Sequence, residues 1–211
     1  MSLPKVVVFD LGKVLLDFVY AVAARKLAER GKLPSADISS LIDQAPLLLR
    51  FETGLLTSDE FCREVCAAIG FKGTSDEFAT CFADIFTPIE PMIEFHAELR
   101  RRGFRTFIFS NTNDLSIRFI RRAFPFFANF DGYILSYEHR LMKPDRRLYE
   151  IVERETGCRG RDIVYLDDRP ENIATGLVLG WQAILHQSSA ETLRTIASLG
   201  LLEKGDAQSA P

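Results

Sequence analysis

Two hydrophobic rhythms alternate along the chain and divide it into three stretches. The first is short: Val6-Val7-Val8-Phe9, four apolar and mostly β-branched residues, runs straight into Asp10. A continuous apolar run of this length predicts a parallel strand buried on both faces. From position 19 the spacing turns helical. One helix is predicted over 19–30 with Gly31 as its stop, and a second starts near Ser35 with Ile38, Leu41 and Ile42 on one face. Gly54 interrupts the pattern in Phe51-Glu52-Thr53-Gly54. Thr57 with Glu60 and Thr74 with Glu77 then form two capping boxes, opening helices that end at Gly70 and near Phe86. No strand is predicted in this block, and Pro88 and Pro91 punctuate its end.

Beyond Pro91 strands and helices alternate. Strands are predicted over 104–109, 133–135, 163–166 and 182–186, with helices between them and a last helix capped by Ser188 and Glu191. One strand, a helical block, then four strands alternating with helices make a single α/β domain with an insertion after its first strand. Such an insertion sits over the crevice at the carboxyl ends of the strands, where a lid belongs.

Composition narrows the function without naming it. With 47% hydrophobic and 26% charged residues in 211, the chain has an ordinary globular make-up and enough length for one good core. A net charge of −3 supplies no broad basic field, so nucleic acid is not an expected partner. Arg100-Arg101-Arg102 precedes Gly103 and complements a helix end. The four cysteines show neither metal spacing nor a disulfide framework, and Cys62 and Cys66 suit a helix face. No signal peptide or membrane-spanning run is visible; a cytoplasmic protein with no membrane partner, monomer or homodimer, is expected.

Candidate chemistry collects where strands end. A lone Asp10 would be an ordinary turn residue. But the strand at 104–109 ends in Ser110-Asn111-Thr112-Asn113, and the strand at 163–166 ends in Asp167-Asp168-Arg169-Pro170-Glu171-Asn172. Between them Lys143-Pro144 stands ahead of a helix. In open α/β sheets these segments meet at one edge. Three carboxylates without a His or Cys cluster suit a hard cation, Mg²⁺ before zinc. A carboxylate beside a cation can attack phosphorus, and Ser110 with Lys143 can hold phosphoryl oxygens. Asn172 either starts a helix or steadies a metal ligand.

As a set, these motifs resemble the haloacid dehalogenase-like hydrolase superfamily over residues 5 to about 200. Phe9-Asp10-Leu11-Gly12, Phe109-Ser110-Asn111-Thr112, Lys143-Pro144 and Asp167-Asp168 stand for its four motifs, and the helical block resembles the small cap of one subgroup. The resemblance is greatest to bacterial glucose-1-phosphate phosphatase-type members. It implies a Rossmann-like three-layer α/β/α core with a mainly parallel five-stranded sheet over 1–16 and 89–203, a helical cap over 17–88, and a disordered tail over 204–211. It further implies Asp10 as nucleophile and Mg²⁺ ligand, the Gly12 carbonyl and Asp168 as further ligands, and Asp167 assisting. Ser110 and Asn111 would hold the phosphoryl group of a small phosphorylated metabolite, and Lys143 would balance charge.

One position departs from the pattern. Phosphatases of the superfamily usually carry an acid two residues after the nucleophile, and here that position is Gly12. General acid–base help contributes roughly 10²–10⁴-fold. A sugar 1-phosphate needs less of it, or a cap residue or water supplies it. A metal-independent dehalogenase and a non-catalytic phosphate-binding protein are the competing expectations. Specificity is expected from the cap around Arg50-Phe51-Glu52.

Overall fold

The computed structural model describes residues 3–43 and 46–202. Strand β1 (Val6–Phe9) lies at the centre of a five-stranded sheet, flanked by β4 (Arg105–Ser110) and β6 (Ile163–Asp167). Outside them run β5 (Gly132–Leu135) and β7 (Gln182–Leu185), giving the order β5-β4-β1-β6-β7 with every pairing parallel. All five expected strands are present within a residue or so of their predicted bounds.

Alternation along the strands builds two cores. Val7, Phe9, Ile108, Val164 and Leu166 face α6 (Glu90–Arg101), α7 (Asp114–Ala123) and α11 (Ser189–Ser198). Val6, Val8, Phe107, Phe109 and Tyr165 face the other way, toward α9 (Arg146–Thr156) and Ile173 of α10 (Pro170–Val178). The four side chains of β1 are wholly buried. Each contributes roughly 1.5–3 kcal/mol by leaving water, so one charge placed in this run would unseat the sheet.

Among the described residues, five helices precede α6 in the stretch after β1: α1 (Tyr20–Ala28), α2 (Ser35–Ile42), α3 (Pro46–Glu52), α4 (Ser58–Ile69) and α5 (Ser75–Ala83). They share a core of their own that includes Leu27, Ile38, Phe51, Phe61, Val65, Phe78 and Phe82. Phe51 stacks on Phe61 with centroids 4.3 Å apart. Both expected capping boxes form, and Gly70 ends α4 in the left-handed region at φ 65°.

One expectation fails here. The block is not free of strands: β2 (Leu16–Phe18) and β3 (Phe86–Pro88) pair antiparallel at its base, Leu16 opposite Pro88 and Phe18 opposite Phe86. Three-residue strands have no periodicity to read, and their partners lie at opposite ends of the helical block. A short helix α8 (Ser136–His139) follows β5 directly. The expected tail at 204–211 lies outside the described residues. Among the described residues no helix is long and apolar enough to cross a membrane.

Candidate active site

Register alone brings the candidate residues together. Phe9 lies opposite Ile108 on one side and Leu166 on the other, so Asp10, Ser110 and Asp167 arrive at the same edge of the sheet. The Asp10 N–H donates to the Leu166 carbonyl at 2.8 Å, which holds the chain in line for one residue past the strand. The sheet order reverses at β1, whose two neighbours come from later parts of the chain on either side, and a crevice opens there.

Lys143 fills the floor of that crevice. Its Nζ donates to the Phe109 carbonyl at 2.8 Å and to Asp167 Oδ2 at 2.6 Å, and lies 3.1 Å from Asp10 Oδ1. It also sits over the rings of Phe109 and Tyr165, 5.0 and 5.8 Å from their centroids. Burial works against its charge, but Asp10 and Asp167 more than offset this and hold the ammonium protonated. A lysine is rarely fully buried unless paired. This one is doubly paired.

Asp167 is saturated by protein donors. Besides Lys143, its oxygens accept from Tyr165 Oη (2.5 Å), the Arg169 N–H (2.8 Å) and Asn172 Nδ2 (2.9 and 3.1 Å). Burial opposes its charge, yet Lys143 and these donors pull its carboxyl below the usual range. Asn172 therefore steadies a carboxylate, one of the two roles open to it from sequence. Asp10 and Asp168 differ. Asp10 Oδ1 accepts from the Leu11 N–H at 2.7 Å and faces Lys143, while no described residue donates to Oδ2. The half-buried Asp168 carboxylate is met only by its own backbone N–H, with no side-chain donor among the described residues. Burial and the neighbouring acids push both of these carboxyls upward.

This donor set fits a hard cation. One oxygen from each of Asp10, Asp167 and Asp168 lies within 4.8 Å of the others. The Gly12 carbonyl, too, accepts no hydrogen bond from a described residue. The Asp10 and Asp168 carboxylates and the Gly12 carbonyl offer oxygen donors, the ligand type that Mg²⁺ takes. Asp167, with its oxygens already engaged, is the least free of the three acids.

Ser110 is buried, and its Oγ makes one long contact, 3.4 Å to the Asn111 carbonyl. The Asn111 side chain is committed to the main chain of Lys143, donating to its carbonyl at 3.0 Å and accepting from its N–H at 2.7 Å. Sequence placed Asn111 on the phosphoryl group; in the structure its amide clasps the lysine segment instead. The Thr112 N–H donates to Ser136 Oγ at 2.9 Å, and that hydroxyl shares its proton between the Thr112 carbonyl (3.0 Å) and the Glu52 carbonyl of α3 (2.6 Å). Ser136 thus ties the helical block to the loop after β4. Nothing in its sequence surroundings signals this.

Gly12 is more than an omission. A Cβ there would stand 2.7 Å from Phe18 Cε1, so the ring of β2 already fills the side-chain space. Phe18 packs edge-on against Tyr20 at 5.5 Å, and Tyr20 Oη donates to Glu52 Oε1 at 3.1 Å. Lys13 and Asp17 pair with each other on the exposed side of this wall, the Lys13 ammonium 5.0 Å from the Phe18 ring centroid and 2.8 Å from the Phe18 carbonyl. Of the expected specificity residues, Phe51 is core and Arg50 is exposed, 3.8 Å from Glu64. Glu52 is the one of the three held by that wall, through Tyr20, and the charge of Arg169, next to Asp168, acts on its carboxylate.

Comparison with known proteins agrees with this geometry. The chain is 24% identical over 196 residues to a D-ribitol-5-phosphate phosphatase of Bacteroides thetaiotaomicron, covering 89% of this chain and 94% of that one. It is 22% identical over 198 residues to the sesquiterpene phosphatase astK of Aspergillus oryzae, covering 92% and 96%. A haloacid dehalogenase family enzyme of Bacteroides thetaiotaomicron, solved with magnesium and inorganic phosphate, superposes with a TM-score of 0.75 at 21% identity over 86% of this chain and 93% of that one. The haloacid dehalogenase-like hydrolase family model matches residues 4–180, the span that carries Asp10, Ser110, Lys143 and Asp168 alike. With its acids and lysine on one sheet edge and the family pattern running through nearly all of the domain, the chain is a hydrolase belonging to the haloacid dehalogenase-like family.

Proposed function

We propose that the protein is a Mg²⁺-dependent phosphatase of a small phosphorylated metabolite, a sugar or polyol phosphate, and that the helical block over 17–88 caps its site. The observation that carries this reading is the division of labour among the acids. Asp167 is spent on Lys143, Tyr165 and Asn172, while Asp10 Oδ2 and the Asp168 carboxylate take no side-chain donor among the described residues and lie in one cluster of acids. A metal-independent dehalogenase would need the nucleophile and a cation partner; a third acid with a free carboxylate beside them would only add repulsion.

In this reading Asp10 Oδ2 attacks phosphorus, forming an aspartyl phosphate while the P–O bond to the leaving group breaks. Lys143, fixed by Phe109 and Asp167, holds Asp10 Oδ1 and so orients the attacking oxygen. Ser110 Oγ and the N–H groups after it receive phosphoryl oxygens. A bound Mg²⁺ would offset charge on the phosphoryl group. Relatives named a D-ribitol-5-phosphate phosphatase and a sesquiterpene phosphatase support a phosphatase, and the first of them supports a polyol phosphate.

The test is phosphate release from a panel of sugar and polyol phosphates with and without Mg²⁺, beside Asp10→Asn. Release that needs Mg²⁺ and disappears in the variant is expected. Activity surviving in Asp10→Asn removes the nucleophile assignment, and Mg²⁺ binding with no turnover of any ester, activated ones included, favours a non-catalytic phosphate-binding protein.

A further inference from the structure

Position 12 has no side chain to serve as the acid that a phosphatase of this kind uses, and the Phe18 ring stands in its space. The proton for the leaving group must come from elsewhere. Three independent contacts lead from the site to one residue of the helical block. Through side chains, the Phe18 ring beside Gly12 packs on Tyr20, whose hydroxyl holds Glu52 Oε1. Through the main chain, the Glu52 carbonyl accepts from Ser136 Oγ, which takes the Thr112 N–H two residues beyond Ser110. Through charge, the Glu52 carboxylate feels Arg169, next to Asp168. Glu52 is therefore tied through Tyr20 and Phe18 to the wall beside Gly12, and through its carbonyl to the phosphate loop.

The other acids are committed. Asp17 is exposed and paired with Lys13, Asp167 is saturated, and Asp10 and Asp168 belong to the reaction centre. Tyr20 donates to Glu52 Oε1 only, and no described residue bonds Oε2. A proton on this carboxyl would therefore sit on Oε2, the oxygen that Tyr20 leaves free. We infer that Glu52 is the general acid and base of the reaction, replacing the side chain that Gly12 lacks, and that Tyr20 positions it.

The step balances without a further reactant. As Asp10 Oδ2 forms its bond to phosphorus and the P–O bond to the leaving group breaks, the Oε2 proton passes to the departing oxygen and yields an alcohol. Glu52, now a carboxylate, takes one proton from the water that attacks the aspartyl phosphate. Phosphate leaves, Asp10 is restored, and Glu52 is protonated again. Burial raises the Glu52 carboxyl to about 7 against the opposing pull of Tyr20 and Arg169, so both forms are available at neutral pH. This inference rests on the phosphatase reading, and its test separates the two.

The experiment compares two leaving groups in wild type, Glu52→Gln and Tyr20→Phe. Sorbitol 6-phosphate leaves as a strong alkoxide and needs the proton; p-nitrophenyl phosphate leaves as a stable phenolate and does not. Glu52→Gln should lower kcat/KM for the polyol phosphate by about 10²–10⁴-fold. With the nitrophenyl ester it should still give a rapid burst of one nitrophenol per enzyme, followed by slow turnover as the aspartyl phosphate waits for its base. Tyr20→Phe should lower polyol phosphate turnover with the burst spared. Equal losses on both esters in both variants, or no loss on the polyol phosphate, overturn the role of Glu52 while leaving the phosphatase reading intact. A wild type inert on both esters overturns both.

Discussion

Lys143 offers the sharpest measure of what holds the site together. Lys143→Met keeps the length of the stem and removes the ammonium. Nζ has three short contacts, to the Phe109 carbonyl at 2.8 Å, Asp167 at 2.6 Å and Asp10 at 3.1 Å, and all three lose their partner at once. Removing one member of a buried ion pair costs roughly 3–5 kcal/mol, because the remaining charge stays buried. An unpaired buried carbonyl adds roughly 1–3 kcal/mol. The contacts share one atom and do not sum, so the expected loss is about 4–6 kcal/mol. For a domain of this size that corresponds to roughly 8–24 °C in Tm. The assay is urea unfolding followed by circular dichroism, in chelator and again in Mg²⁺. Two further results should accompany the loss. Mg²⁺ should stabilise the variant more than the wild type, since the acids have lost their resident cation. Adding Asp167→Asn to Lys143→Met should restore roughly 1–3 kcal/mol, since the most tightly held carboxylate no longer needs balancing. A single variant within about 1 kcal/mol of wild type, below the cost of breaking even a modest buried pair, would refute the reasoning.

Three other outcomes follow from geometry already described. Gly12→Ala drives a Cβ to 2.7 Å from Phe18 and should destabilise by about 1–3 kcal/mol, with part of the cost relieved in Gly12→Ala/Phe18→Ala; a strictly additive double-mutant cycle would show that the ring does not fill that space. Gly54 sits at φ 68°, and an added Cβ would lie 2.1 Å from the Tyr137 carbonyl, so Gly54→Ala should cost at least about 2 kcal/mol in urea unfolding and reduce turnover by displacing Glu52. His96 is buried, stacked on Phe130 at 3.8 Å with Nε2 3.1 Å from Thr106 Oγ1, and burial holds its imidazole down at about 4. The unfolded chain protonates first as pH falls below the ordinary value of 6.5, so stability supplied by neutral His96 is full above that pH and lost on the way down to about 4. The loss is about 3 kcal/mol at 1.36 kcal/mol per pH unit, and His96→Leu should remove that part of the slope in a pH series of unfolding midpoints.

The sheet was legible because each of its strands carries its own signal. Val6-Val7-Val8-Phe9 is buried on both faces and says so in four letters, and the capping boxes at Thr57 and Thr74 state their helices locally. The site was legible for the same reason, since a parallel register puts residues at equivalent strand ends side by side. Asp10, Ser110, Lys143 and Asp167 needed no knowledge of packing to be grouped. What could not be read depends on pairings remote in the chain. Leu16 opposite Pro88 makes two strands out of segments with no strand period. Asn111 carries the donor and acceptor expected of a phosphate contact, and only the path of the Lys143 segment shows them occupied. Gly12 was recognised as a missing acid, but that Phe18 had taken its room, and that Tyr20 hands the next contact to Glu52, is information about three dimensions.

The Ser136 hydroxyl has one proton and two carbonyl acceptors, one on each side of the crevice. With α3 packed on α8, that proton is divided between Glu52 and Thr112. If α3 swings away, it passes wholly to Thr112, so the loop bearing Ser110 is bonded differently in the two positions. The bonding of the phosphate loop is thereby coupled, through one hydroxyl, to the position of α3. The two settings of that hydroxyl differ by one hydrogen bond, about 0.5–1.5 kcal/mol, a step that thermal motion can cross within every turnover.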